Sequence, residues 1–76
     1  MTKVEFLEEL AVILNEDIDD IKPETELESL TGWDSVGLLG VIALLDGDLG
    51  VAINVDSLRE CSTVQDLAAL AGDKLD

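Results

Sequence analysis

The chain is 76 residues long, sets 18 acidic side chains against 4 basic ones, contains no histidine, and carries a formal net charge of −14. That length gives one small domain, residues 1–76. The charge repels phosphate backbones and anionic lipid, so it argues against nucleic acid and membrane insertion while attracting basic protein surfaces. Hydrophobic residues make up 47% of the chain, yet Phe6 and Trp33 are its only aromatics, so the core must be built from Leu, Ile, Val and Ala, which suits packed helices.

Thr2-Lys3-Val4-Glu5 has the spacing of a capping box and predicts a helix starting near Lys3. Val4, Leu7, Leu10, Ala11 and Leu14 recur at helical intervals, Phe6 and Ile13 widen the apolar face, and Glu5, Glu8 and Glu9 point outward until the helix ends near Asn15. Met1-Thr2-Lys3 leads straight into this acidic segment with no secretory apolar core, and the apolar stretch from Val36 to Leu45 is too short to span a bilayer. Cys61, the single cysteine, allows no intramolecular disulfide and is expected as a buried structural thiol. The expected location is cytoplasmic.

From Glu16 to Asp34 the helical pattern dissolves. Pro23 interrupts it and acids crowd it, which predicts a long loop pinned to the core by Ile18, Ile21, Leu27 and Leu30. Gly32-Trp33-Asp34-Ser35 then supplies turn residues and a helix start, with Asp34 as N-cap. Val36, Leu38, Leu39, Val41, Ile42, Leu44 and Leu45 make this second helix apolar almost all round, as expected at the centre of a bundle or at an interface. Gly47 and Gly50 mark its end and a turn. Val51, Ile53 and Val55 alternate like a strand but have no partner strand, so the segment reads as an extended loop. Residues 56–61 allow one short helix, Ser62 to Gln65 supplies a second capping box, and Val64, Leu67, Ala68, Leu70 and Ala71 carry a last helix that ends at Gly72. The expected fold class is all-α: three main helices and a short one, with a long loop between the first two.

Without histidine, a catalytic triad has no base, and the many carboxylates lie on solvated faces where their acidity needs no adjustment. No catalytic residue is expected. The acids at Asp17, Asp19 and Asp20 and at Asp46 and Asp48 lack the glycine and twelfth-position glutamate of a calcium loop, so no metal site is expected either. Ser35 remains. At the first turn of a helix, free N–H groups and the helix dipole favour a negative group on its side chain, without help from any basic residue. On position alone, a serine that merely starts a helix is the better explanation.

The surrounding residues change that balance. Gly32-Trp33-Asp34-Ser35-Val36, followed by Leu38-Leu39 and Val41-Ile42, resembles the modification motif of acyl carrier proteins, with Val36 standing where that family usually has Leu. The resemblance takes in the acidic first helix, the long loop and Thr63-Val64-Gln65-Asp66-Leu67, similar to the family's opening of the last helix. It implies that Ser35 receives 4'-phosphopantetheine from coenzyme A and that Asp34 assists the transferase besides capping the helix. It also implies a non-catalytic carrier that holds an acyl or aminoacyl group as a thioester. Asp56-Ser57-Leu58 matches the bare Asp-Ser-Leu tripeptide better, but too few residues follow Ser57 for it to open a long helix.

Carriers for fatty acid synthesis usually bear acids along the second helix, where this chain has Gly37, Gly40, Ala43 and Leu45. The contact surface is therefore expected to be apolar, with Trp33, Val36, Gly37 and Gly40 meeting the partner, and with Trp33 packing at the helix base in preference to contacting the arm. Gly37 and Gly40 share a face. They admit a partner, a neighbouring helix or the bound chain to the backbone, or are tolerated drift, and alanine at both should stabilise the fold. The expected partners are a phosphopantetheinyl transferase and acyl-loading and acyl-processing enzymes with basic docking surfaces. The carrier itself is expected to be monomeric and to serve a specialised lipid or polyketide pathway. An aminoacyl or peptidyl carrier and an unmodified acidic adaptor are the competing readings.

Overall fold

A computed structural model describes residues 1–75. Helix α1 (Lys3–Leu14) opens with the expected capping box: the Thr2 hydroxyl accepts from the Glu5 amide at 3.1 Å, and the Glu5 carboxylate accepts from the Thr2 amide at 2.9 Å. It closes on Asn15 in the left-handed conformation (φ 55°). Its buried ridge is Phe6, Leu10 and Leu14, four residues apart, with Ala11 beside it. Two expectations shift here. Phe6 is at the centre of the core rather than its margin, while Val4, in the first turn at the edge of that face, is 64% exposed.

The connection from Glu16 to Asp34 contains two single turns of tight 3₁₀ helix, Ile18–Asp20 and Leu27–Ser29. Ile21, Leu27 and Leu30 anchor it as expected, but Ile18 is 42% exposed, because the first turn directs Ile21 inward in its place. Backbone bonds explain how so long a segment stays ordered. The Leu27 amide donates to the Ser62 carbonyl at 2.9 Å, the Val64 amide to Thr25 at 3.0 Å and the Gln65 amide to Pro23 at 2.9 Å, tying the loop to the start of the last helix. The Thr31 amide and hydroxyl both donate to the Glu16 carboxylate, at 3.1 and 2.9 Å, and close the other end.

Helix α2 (Ser35–Ala43) runs on into a wider π-type turn, Leu44–Asp48, which carries Leu44 and Leu45 into the core. Gly50 (φ 68°) reverses the chain. Residues 51–54 form no regular element and pair with no strand among the described residues, and their alternation is used: Val51 and Ile53 pack against the core while Ala52 and Asn54 face out. Helix α3 (Val55–Arg59) starts one residue earlier than expected, capped by Asn54, whose side chain accepts from the Ser57 amide at 2.9 Å. Helix α4 (Val64–Ala71) is capped by Thr63 and Asp66 rather than by Ser62 and Gln65, a one-residue correction. The Asp66 carboxylate accepts from both the Ser62 and Thr63 amides. Gly72 (φ 56°) ends it as expected.

The fold is all-α, and its fully buried side chains are Phe6, Leu10, Leu14, Leu27, Val41, Leu45, Leu58, Val64 and Leu67, drawn from all four helices and the loop. Among the described residues no polar or charged side chain is buried, so hydrophobic burial holds the bundle together without internal ion pairs.

Candidate functional site at the start of helix α2

Asp34 stands in extended conformation (φ −135°, ψ −171°), and one carboxylate oxygen accepts from the Val36 and Gly37 amides, each at 3.0 Å. Its carbonyl accepts from the Leu38 amide at 2.8 Å and begins the helical ladder. Ser35 is thereby fixed as the first residue of α2. Its side chain is exposed, and among the described residues nothing bonds to its hydroxyl. A serine hydroxyl free of internal bonds and open to solvent can be esterified without unmaking any part of the fold.

The electrostatics differ from the sequence expectation. Two of the helix-terminal N–H groups expected to favour an anion on Ser35 are already taken by Asp34, which brings its own negative charge. Arg59, in the last turn of α3, is a cationic side chain that shares surface hollows with Ser35, and sequence reasoning left it unassigned. Two surface hollows flank Ser35, and Arg59 borders both. The smaller, about 180 Å³, is lined by Ser35, Leu38, Leu39, Val55 and Arg59. The larger, about 380 Å³, shares Ser35, Leu38 and Arg59 with it and adds Glu28, Trp33, Asp34 and Cys61. The loop tied to α4 and the packing of α2 on α3 create this proximity across 24 positions (59 − 35), a relation no local motif encodes.

Trp33 is half-buried. It packs against the core and also borders the larger hollow, so base packing and a place beside Ser35 are compatible. Val36, by contrast, is 77% exposed, and Leu39, one turn further along, is 63% exposed. Gly37 and Gly40 lie on the opposite side. A Cβ on Gly37 would run into the Gly32 carbonyl oxygen and come within 2.9 Å of Leu14 Cδ2. On Gly40 it would come within 2.5 Å of Ile13 Cγ2. Of the close approaches considered for these glycines, the one realised is to the neighbouring helix. Gly40 meets Ile13 of the chain's own first helix and Gly37 meets the Gly32 carbonyl together with Leu14, so the expected stabilisation by alanine at both is corrected to a clash at Gly37.

Cys61 is half-buried rather than buried, and its thiol donates to the Ser57 carbonyl at 3.5 Å. Burial first, then the charges of Asp66 and Glu60, push its pKa upward. Among the described residues no helix is long and apolar enough to cross a membrane, and no three His, Cys, Asp or Glu side chains are grouped to hold a metal ion.

The family model for the phosphopantetheine attachment site matches residues 5–71, nearly the whole chain. The chain belongs to this family, whose members carry 4'-phosphopantetheine covalently and work with phosphopantetheinyl transferases and biosynthetic enzymes. No curated protein and no solved structure matches the chain.

Proposed function

We propose that the chain is an acyl carrier whose 4'-phosphopantetheine arm is attached to Ser35, and that it presents an acyl thioester to the enzymes of a specialised lipid or polyketide pathway. The observation that carries this reading is the exposed, internally unbonded hydroxyl of Ser35 at the first position of α2, directly after the Asp34 cap. In the loading reaction the hydroxyl oxygen forms the new ester bond to phosphorus, its proton leaves, and adenosine bisphosphate departs from coenzyme A. Asp34 holds the helix start in shape for the transferase. Ser57 is the lesser candidate, since it lies inside a five-residue helix and is half-buried.

Partner enzymes are steered by the net charge of −14 towards basic docking surfaces, and the close contact is apolar, centred on Val36 and Leu39 with Trp33 at its border. Gly37 and Gly40 contribute indirectly, by letting α2 lie close on α1. Incubation with coenzyme A, magnesium and a broad-specificity phosphopantetheinyl transferase, followed by intact-mass measurement, tests the attachment. Wild type and Ser57→Ala should each gain one arm and Ser35→Ala none. A Ser35→Ala protein that still gains the arm overturns the assignment.

A further inference from the structure

We infer that Arg59 is the binding residue for the phosphodiester of the arm, holding it on the α3 side of Ser35; this rests on Ser35 as the attachment point. The esterified serine adds a negative charge to a molecule already at −14, next to Asp34 and with Glu28 on the rim of the adjoining hollow. The helix end offers that charge little, since Asp34 occupies the Val36 and Gly37 amides. Arg59 is the one cationic side chain among the described residues that lines either hollow beside Ser35, and it lines both. It is exposed and, among the described residues, forms no ion pair, although Asp56 and Glu60 are close in sequence. A guanidinium presents several donors in one plane and matches phosphate oxygens in pairs, which makes an uncommitted arginine here a better phosphate ligand than a lysine. Leu38 lines both hollows with Arg59, and a long arginine side chain can keep its methylenes on such apolar surface while its charged head reaches towards Ser35.

The test uses apo and fully loaded protein, wild type and Arg59→Gln, with loading verified by intact mass. In wild type the Arg59 Nε–Hε resonance should shift on loading, and the shift should shrink as salt rises, because the pair is solvent-accessible. Loading should lower the melting temperature of Arg59→Gln more than that of wild type, with the gap closing at high salt. An unmoved Arg59 resonance together with the same loaded-minus-apo difference in both proteins overturns the role of Arg59 and leaves Ser35 standing. A wild-type protein that gains no arm, or gains it elsewhere, overturns the attachment and this inference with it.

Discussion

Gly37, in the first turn of α2, lies directly against the carbonyl of Gly32, and Gly32 in turn lies against the backbone of Leu14 at the end of α1. Three stretches of main chain thus stack where the long loop delivers the Asp34-Ser35 pair, and neither glycine has room for a Cβ. Gly37→Ala should gain about 1 kcal/mol of helix propensity but lose about 1–3 kcal/mol to overpacking, for a net destabilisation in urea titration. Gly32→Ala should be worse, since all three nearest atoms are Leu14 backbone, whereas at Gly37 one of the three is the movable Leu14 Cδ2. Gly40→Ala faces only a side-chain methyl of Ile13 and should fall within about 1 kcal/mol of wild type, because propensity and crowding nearly cancel.

Asp34 and Ser35 are adjacent but do different work, and stability measurements should separate them. Asp34→Ala removes the acceptor for two helix-terminal amides and should cost about 1 kcal/mol. Asp34→Asn keeps a side-chain acceptor and should cost less. Ser35→Ala breaks no internal bond and should stay within about 0.5 kcal/mol of wild type. A large loss at Ser35 in chemical denaturation would mean that the hydroxyl has a structural partner.

Local rules made most of this fold legible. The Thr2/Glu5 box, the Asp34 cap and the Gly72 stop are each written within a few residues, and each forms. The misplacements arise where a local pattern fits twice. Ser62/Gln65 and Thr63/Asp66 have the same spacing, and the second forms because Asp66 reaches two amides. The single 3₁₀ turns are too short to leave a periodicity, and the buried role of Phe6 depends on what packs over α1. At the candidate site, the Asp34 cap and Ser35 as the first residue of α2 were readable because they are contiguous. Arg59 was not, since it comes to share a hollow with Ser35 only through the packing of α3 on α2, and Gly37 is explained by backbone it meets across the fold.

Acid should weaken the start of α4. The Ser62 and Thr63 amides bond to ionised Asp66 and hold its pKa below the ordinary 3.8. A depressed folded value means that the stabilisation is fully present above the unfolded value and is lost as pH falls through the folded one. The Thr2 bonds to Glu5 act with the same sign at α1. Acidification also relieves repulsion among the many carboxylates, so wild type alone gives a mixed signal. The difference between wild type and Asp66→Asn isolates the cap. In urea melts that difference should be largest near about pH 7 and shrink below about pH 4; a gap independent of pH would rule out an ionic cap.

Cys61 borders the same hollow as Ser35, so its reactivity bears on how the carrier is handled in solution. Burial and the nearby charges of Asp66 and Glu60 raise its pKa above the ordinary 9.0, and its thiol hydrogen is directed to the Ser57 carbonyl. Attack on an alkylating agent requires thiolate, so near neutral pH the apo protein should react more slowly with iodoacetamide than glutathione does. In the loaded protein the thiol at the end of the arm is exposed and carries no such burden. Brief alkylation should therefore label the arm first and Cys61 later, with peptide mass spectrometry reading the order. Equal or faster labelling of Cys61 would show that its surroundings do not hold its thiolate back, and would mark it as a second reactive sulfur beside the arm.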